Sequence, residues 1–207
     1  MKVLKFGGSS VANAENIEKV VDIVKRSAAA DACVVVLSAM QGTTDGLIDL
    51  GRTAERGDDG FIGQLDEIRD RHFSVIAKLF DGRGSAAISE FVAAELDELE
   101  SIAEGVRRVR ELTTKTLDRI LSFGEVASTK IVAAKLAADG IENEWHDSRF
   151  LIRTDSNHGF AAVNFDESNR RIKAEINGSN AKLHIVPGFI ASDSGEHTTT
   201  LGRGGSD

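Results

Sequence analysis

The sequence has one cysteine, one proline and no tyrosine among 207 residues. A lone cysteine excludes an intrachain disulfide and a cysteine zinc cluster, and Cys33, inside the run CVVVL, reads as a small buried hydrophobe in a reducing compartment. Long hydrophobic runs are missing as well. No stretch approaches the roughly 20 apolar residues of a membrane span. MKVLKFGG at the start carries positive charge without the apolar segment of a secretory signal, so the expected location is cytoplasmic. Cations are outnumbered: 25 Lys and Arg face 33 Asp and Glu, a formal net charge of -8, which excludes a surface built to displace counterions from nucleic acid. An anionic ligand must then be met by local groups. Repeats, linkers and low-complexity segments are absent too.

What is present is the composition of a globular chain, 41% hydrophobic and 28% charged, with enough apolar residues to bury a sizeable core. VLKF (3–6) and CVVVLSA (33–39) are short apolar runs rich in β-branched residues that end in glycine or small polar residues, so both read as buried strands of a parallel sheet. Between them Ile17, Val20, Val21, Val24 and Ala28 recur at helical spacing, with Asn13 as cap and Glu15 in the first turn. Together they make a βαβ unit with a right-handed crossover.

From about 61 to 112 the pattern becomes two long amphipathic helices separated by DGRGS (81–85), with solvated charged outer faces. His72 lies on the apolar side of the first and reads as a satisfied packing residue. SFGEVAS (122–128) reads as a small-residue loop opening a helix from Glu125 to about Ala138. Strands are expected at 142–146, 160–163 and 182–186 and a short helix near 167–175, which together favour a layered α/β domain. TTTLGRGGSD (198–207), rich in glycine and hydroxyls, is not expected to form a core element.

Chemistry is expected where strands run into loops. KFGGSS (5–10) follows the first strand and precedes the first helix, the place where α/β proteins hold anions; Gly7 and Gly8 allow successive amides to point at one spot and Lys5 adds charge. It matches neither GxGxxG nor a Walker P-loop, and a tight turn is the alternative reading. SAMQGTTD (38–45) repeats the arrangement after the second strand, with a helix starting near Gly46, and the alternative there is simple capping. GRGGSD adds Arg203, whose planar fork suits a carboxylate or phosphate.

In order and along essentially the whole chain, KFGGSSV, SAMQGTTD, SFGEVAS, RTDSNHGFAAV and GFIASDSGEHTTTLGRGGSD resemble the amino-acid kinase domain of aspartate kinases. The last motif is the most specific, and the first is shared in looser form by glutamate and acetylglutamate kinases. The resemblance implies an α/β three-layer sandwich with a mainly parallel central sheet, the amino-acid kinase fold, incomplete here and with a helical insertion at about 61–121. Residues 1–207 would be the N-terminal part of the catalytic domain. Family chains continue beyond the GRGGSD motif into the rest of the nucleotide site and then regulatory domains. The sequence is therefore expected to be a fragment cut at a catalytic segment and inactive alone, with the full-length protein a homo-oligomer.

The implied reaction is transfer of the γ-phosphoryl group of ATP, with Mg2+, to the side-chain carboxylate of L-aspartate, at the head of lysine, threonine and methionine biosynthesis. The acceptor is already ionised at neutral pH, so the site needs no general base; it needs positioning and charge stabilisation. By resemblance Lys5 neutralises the transferring phosphoryl and Asp207 orients the reacting groups. Gly7, Gly8, Ser9 and Ser38 cradle phosphate oxygens, while Thr44, Glu125, Phe189, Arg203 and Ser206 hold aspartate. No residue is assigned as a metal ligand. Arg153, Thr154 and Asp155 are expected to border the same cleft. Thr43, Asp45 and Pro187 depart from the common family pattern. A kinase of a glutamate-type acceptor, a non-catalytic ligand-binding module of the same fold and a helical partner-binding protein are the competing readings.

Overall fold

A computed structural model of the chain describes residues 1–81, 84–202 and 204–205. At its centre is a four-stranded parallel sheet in the order β1-β2-β4-β3, formed by β1 (Lys2–Phe6), β2 (Cys33–Leu37), β3 (Glu144–Trp145) and β4 (Leu183–Pro187). Val35 pairs with Leu4 on one side and Ile185 on the other, and Trp145 pairs with Ile185 beyond. The pleat sends Cys33, Val35, Leu37, Leu183 and Ile185 into one hydrophobic core.

That core is closed by helices. Between β1 and β2, α1 (Ala14–Ala30) begins where the Asn13 side chain accepts a hydrogen bond from the Asn16 amide, and it buries Ile17, Val20, Val21 and Val24 against the sheet. α2 (Thr43–Glu55), α3 (Phe61–Phe80) and α4 (Ala86–Val109) extend the core, as the amphipathic pattern predicts. α5 (Thr114–Ala138) packs against α2, α4, β3 and β4. The other face of the sheet is covered beside β3 and β4, where α7 (Phe165–Gly178) supplies Glu175 to His146 and the following Ser179 donates to Glu144. On β1 that face is open, and Val3 is 70% exposed. The α/β class and the mainly parallel central sheet are those expected. Among the described residues no helix is long and apolar enough to cross a membrane.

Several local expectations change. Residues 122–128 are not a loop: they lie inside α5, whose start is fixed by Thr113 accepting from the Thr116 amide. Gly124 is helical, and its missing side chain lets α5 meet the loop after β2, because a Cβ there would lie 3.0 Å from the Ala39 Cβ and 3.1 Å from the Thr43 Cγ2. The helix expected near Gly46 begins at Thr43. The piece 160–163 contributes only an isolated bridge between Thr154 and Val163.

Thr198–Thr200 does form a core element. It is strand β6, paired antiparallel with β5 (Ile190–Ser192), and α6 (Ser148–Leu151) packs on β5. Threonine is β-branched and suits a strand once its hydroxyl is satisfied. Here Thr199 Oγ1 meets Thr154 Oγ1 at 2.7 Å and Thr200 Oγ1 donates to Asp118 Oδ1 at 2.6 Å. Buried Asp118, on α5, also accepts from His158 Nδ1 at 2.9 Å and from the Gly159 amide at 3.1 Å, so one carboxylate ties the 155–163 loop and β6 to the helix. Cys33 is buried, as expected. His72 is buried and packs edge-on against Phe123, but it is only half satisfied: Nδ1 donates to the Ile68 carbonyl at 2.7 Å and Nε2 has no partner among the described residues.

Candidate active site

The carboxyl ends of β1, β2 and β4 open onto a crevice of about 280 Å³. Lys5 reaches it from β1, Ser38 through Gly42 line it after β2, and Phe189 closes it after β4. Thr44 and Asp45 come from the first turn of α2, Glu125 from the middle of α5, and Gly204 from the segment after β6. Parallel sheets gather ligands at this end because loops and helix N-termini point their amides there.

Backbone hydrogen bonds hold the loops in register. Gly8 starts a 3-10 turn (Gly8–Val11), and its carbonyl accepts from the Gln41 amide at 3.1 Å. The two loops are so close that a Cβ on Gly8 would lie 2.9 Å from the Ala39 carbonyl oxygen, so only glycine fits. The Ser38 amide donates to the Phe6 carbonyl at 3.1 Å and the Gly188 amide to the Leu37 carbonyl at 2.8 Å, which carries the ladder into the crevice wall. Phe189 adopts φ +63°, an unfavourable value for a side chain of its size, and its carbonyl accepts from the Leu201 amide at 3.0 Å. That bond brings the segment carrying Gly204 to the crevice.

Electrostatics centre on Glu125. The residue is 3% exposed, and burial pushes its pKa up to about 8; the Ala39 amide and the Lys5 ammonium pull the other way without winning. Among the described residues Oε2 of Glu125 has no hydrogen-bond partner, and neither has the buried Thr43 Oγ1. A buried carboxyl with an unsatisfied oxygen at a ligand-sized crevice is suited to receive a cationic group, which would ionise it.

Lys5, Gly8, Ser38, Thr44, Glu125 and Phe189 thus share one crevice. Gly7 and Ser9 are not brought to it. Gly7 caps the 3-10 turn, its carbonyl accepting from the Ser10 amide at 2.9 Å, and Ser9 borders a separate hollow with Asn16 and Lys19. Arg203, Ser206 and Asp207 lie outside the described residues. Arg153 does not border the crevice but a larger cavity of about 620 Å³, which also meets Arg119 and Arg149. Its guanidinium groups are already engaged: Arg153 with Ser192 Oγ at 2.6 Å and the Asp193 carbonyl at 2.5 Å, Arg149 with Asp147 at 2.5 Å, and Arg119 with Glu98. It is therefore the weaker candidate for binding phosphate despite its size. Thr154 and Asp155 face neither space: Thr154 holds Thr199, and Asp155 Oδ1 accepts from the Asn157 and Ala162 amides at 3.1 and 3.0 Å.

Sequence reasoning missed Ser128, whose Oγ donates to the Ser38 carbonyl at 2.7 Å. The signal was available: Glu125 and Ser128 are three apart, which on a helix puts both on one face.

The profile of the amino acid kinase family matches residues 1–207. The chain is 31% identical over 99% of its length to the bifunctional aspartokinase/homoserine dehydrogenase 1, chloroplastic, of Arabidopsis thaliana, covering 22% of that protein. It is 33% identical over 99% of its length to the lysine-sensitive aspartokinase 3 of Escherichia coli, covering 44% of it. The crystal structure of E. coli aspartokinase III in complex with aspartate and ADP superposes on the whole chain with a TM-score of 0.88 at 30% identity, the chain covering 44% of that structure. The chain spans less than half the length of each.

Proposed function

The chain belongs to the amino acid kinase family, and we propose that it is the acceptor-binding and phosphoryl-binding part of an aspartate kinase catalytic domain. The reaction is ATP-dependent phosphorylation of the side-chain carboxylate of L-aspartate to 4-phospho-L-aspartate, the entry to lysine, threonine and methionine biosynthesis. The observation that carries this reading is the meeting of Glu125, Lys5 and the Gly8–Ser38 loop pair in one crevice. The solved relative with aspartate and ADP supports it.

Each residue has a task. Glu125 receives the α-ammonium of aspartate, which turns its buried neutral carboxyl into the anion of a buried ion pair. Thr44 and Phe189 bound the amino acid. Lys5 and the amides around Gly8 and Ser38 take the oxygens of the transferring phosphoryl, where two anionic reactants would otherwise repel. The acceptor carboxylate is its own nucleophile, so none of these residues has to remove a proton. ATP fits the amide-lined end of the crevice. Mg2+ is proposed only as the companion of the nucleotide phosphates, since the described lining residues include two carboxylates, Asp45 and Glu125, and the second is committed to the ammonium. Arg203, Ser206 and Asp207 complete the proposal as a carboxylate clamp, an aspartate contact and an orienting acid.

The test is ADP release coupled to trapping of the acyl phosphate as a hydroxamate, in a protein carrying this chain together with the further length its relatives have. Aspartate should be the preferred acceptor. Lys5→Ala should lower kcat at least about 100-fold with little change in aspartate affinity, and Glu125→Gln should chiefly raise KM for aspartate. Glutamate as preferred acceptor would reassign the substrate. Aspartate binding without any turnover would make the chain a sensor, not a catalyst. The 207-residue chain alone should turn over little ATP.

A further inference from the structure

Away from the crevice, on the face of the sheet under α7, three potential ligands converge. Glu144 and His146 are two apart on β3 and its continuation, so they project to the same side, and His184 is the registered partner of Glu144 on β4. One donor atom from each of Glu144, His146 and His184 lies within 4.8 Å of the other two. We propose that these three side chains bind a first-row divalent transition-metal ion, with Zn2+ the best match, clipping the edge strand β3 to β4.

The donor set decides the metal class. Two imidazoles and one carboxylate suit Zn2+, Co2+ or Ni2+, whereas Mg2+ and Ca2+ take oxygen ligands. His146 Nε2 faces His184 Nδ1 at 2.9 Å. Tetrahedral zinc with Zn–N near 2.1 Å needs the nitrogens roughly 3.4 Å apart, so the rings must separate by about half an ångström, less than a change of rotamer.

Outer partners are in place. Glu175 Oε1, from α7, lies 3.4 Å from His146 Nδ1, which leaves Nε2 of that ring turned to His184; a carboxylate behind a ligating histidine is a usual support. Ser179 donates to Glu144 and fixes its carboxylate. His146 and His184 are 5% and 1% exposed, so the nitrogens are shielded from water on the protein side. His184 Nε2 is buried and has no hydrogen-bond partner among the described residues.

The position gives the site its purpose. β3 is two residues long and among the described residues pairs only with β4. A metal bridging Glu144 and His146 to His184, with Glu175 behind, would fasten β3, β4 and α7 to one another. None of these residues lines the crevice, so the inference stands or falls apart from the proposed kinase activity.

The experiment is titration of the chelator-treated chain with ZnCl2 by calorimetry, with Co2+ absorption between about 500 and 650 nm as the coordination readout and thermal unfolding as the stability readout. One ion per chain and a rise in Tm with zinc are expected. Glu144→Gln and His184→Asn should each weaken zinc binding at least about tenfold and remove the Tm rise, and Glu175→Gln should weaken it about tenfold. Should the His184 variant fail to fold, the two glutamate variants decide. Absence of zinc uptake at about 100 μM, or uptake of unchanged affinity in Glu144→Gln, overturns the site.

Discussion

Ser128 Oγ donates a 2.7 Å hydrogen bond to the carbonyl of Ser38, ninety residues away in sequence. The bond ties the middle of α5 to the loop that follows β2, and Glu125 sits one turn before Ser128 on the same helix. The spacing between the proposed ammonium-receiving and phosphoryl-receiving ends of the crevice therefore depends on it. Ser128→Ala should cost about 1 kcal/mol of stability. Phosphoryl transfer in the longer protein should fall by about tenfold or more, because reactant alignment is more sensitive than folding to a small shift. Equal small losses in both, measured by urea unfolding and steady-state kinetics, would remove Ser128 from the positioning of the site.

Glu125 makes a two-part prediction. Its folded pKa is raised to about 8 from an ordinary carboxyl value, so the stability linked to this proton is fully present below the unfolded-state pKa and is lost as pH rises through the folded one. Glu125→Gln should therefore gain Tm relative to the parent chain between pH 5 and 9. In the longer protein, aspartate binding at pH 7 should release a proton, visible as a binding heat that depends on the ionisation enthalpy of the buffer. Buffer-independent heat would mean the carboxyl is already ionised.

His72 carries the opposite sign. Burial lowers its pKa to about 4, against the pull of its bond to the Ile68 carbonyl, so its contribution is present above the unfolded-state value and is lost as pH falls toward 4. His72→Phe should flatten the decline in Tm between pH 6.5 and 4. A decline of the same slope in the variant would place the acid sensitivity elsewhere.

Adjacent glycines separate packing from composition. Gly8→Ala must push against the Ala39 carbonyl oxygen at 2.9 Å and should destabilise the chain by about 1–3 kcal/mol. A Cβ on Gly7 meets nothing within 4 Å among the described residues, and its φ of -76° is open to any residue, so Gly7→Ala should change stability by no more than about 0.5 kcal/mol. Chemical denaturation of the two variants distinguishes them, and equal effects would contradict the close approach.

How far the sequence carried can be read from particular residues. Val3–Phe6 and Cys33–Leu37 were legible as strands because they are apolar runs that end in glycine or serine, and that ending also located Lys5, Gly8 and Ser38 at one rim. α1, α3 and α4 followed from helical periodicity. The interior of α5 was hidden: Gly124 and Ser128 are small where the helix meets the loop after β2, and small residues imitate a loop in the sequence. β6 was hidden for a related reason. Thr199 and Thr200 look solvated in the sequence until Thr154 and Asp118, 45 and 82 residues away, supply the partners that let them be buried. Arg153 could not be placed because its partners, Ser192 and the Asp193 carbonyl, lie on a hairpin that periodicity did not reveal.

Phe189 keeps its backbone in a region that glycine would occupy without strain, while its ring walls the crevice. Comfort of the chain and shape of the cleft thus pull in opposite directions at a single residue. Selection for heat resistance alone would drift away from phenylalanine there, whereas selection for ligand retention would hold it.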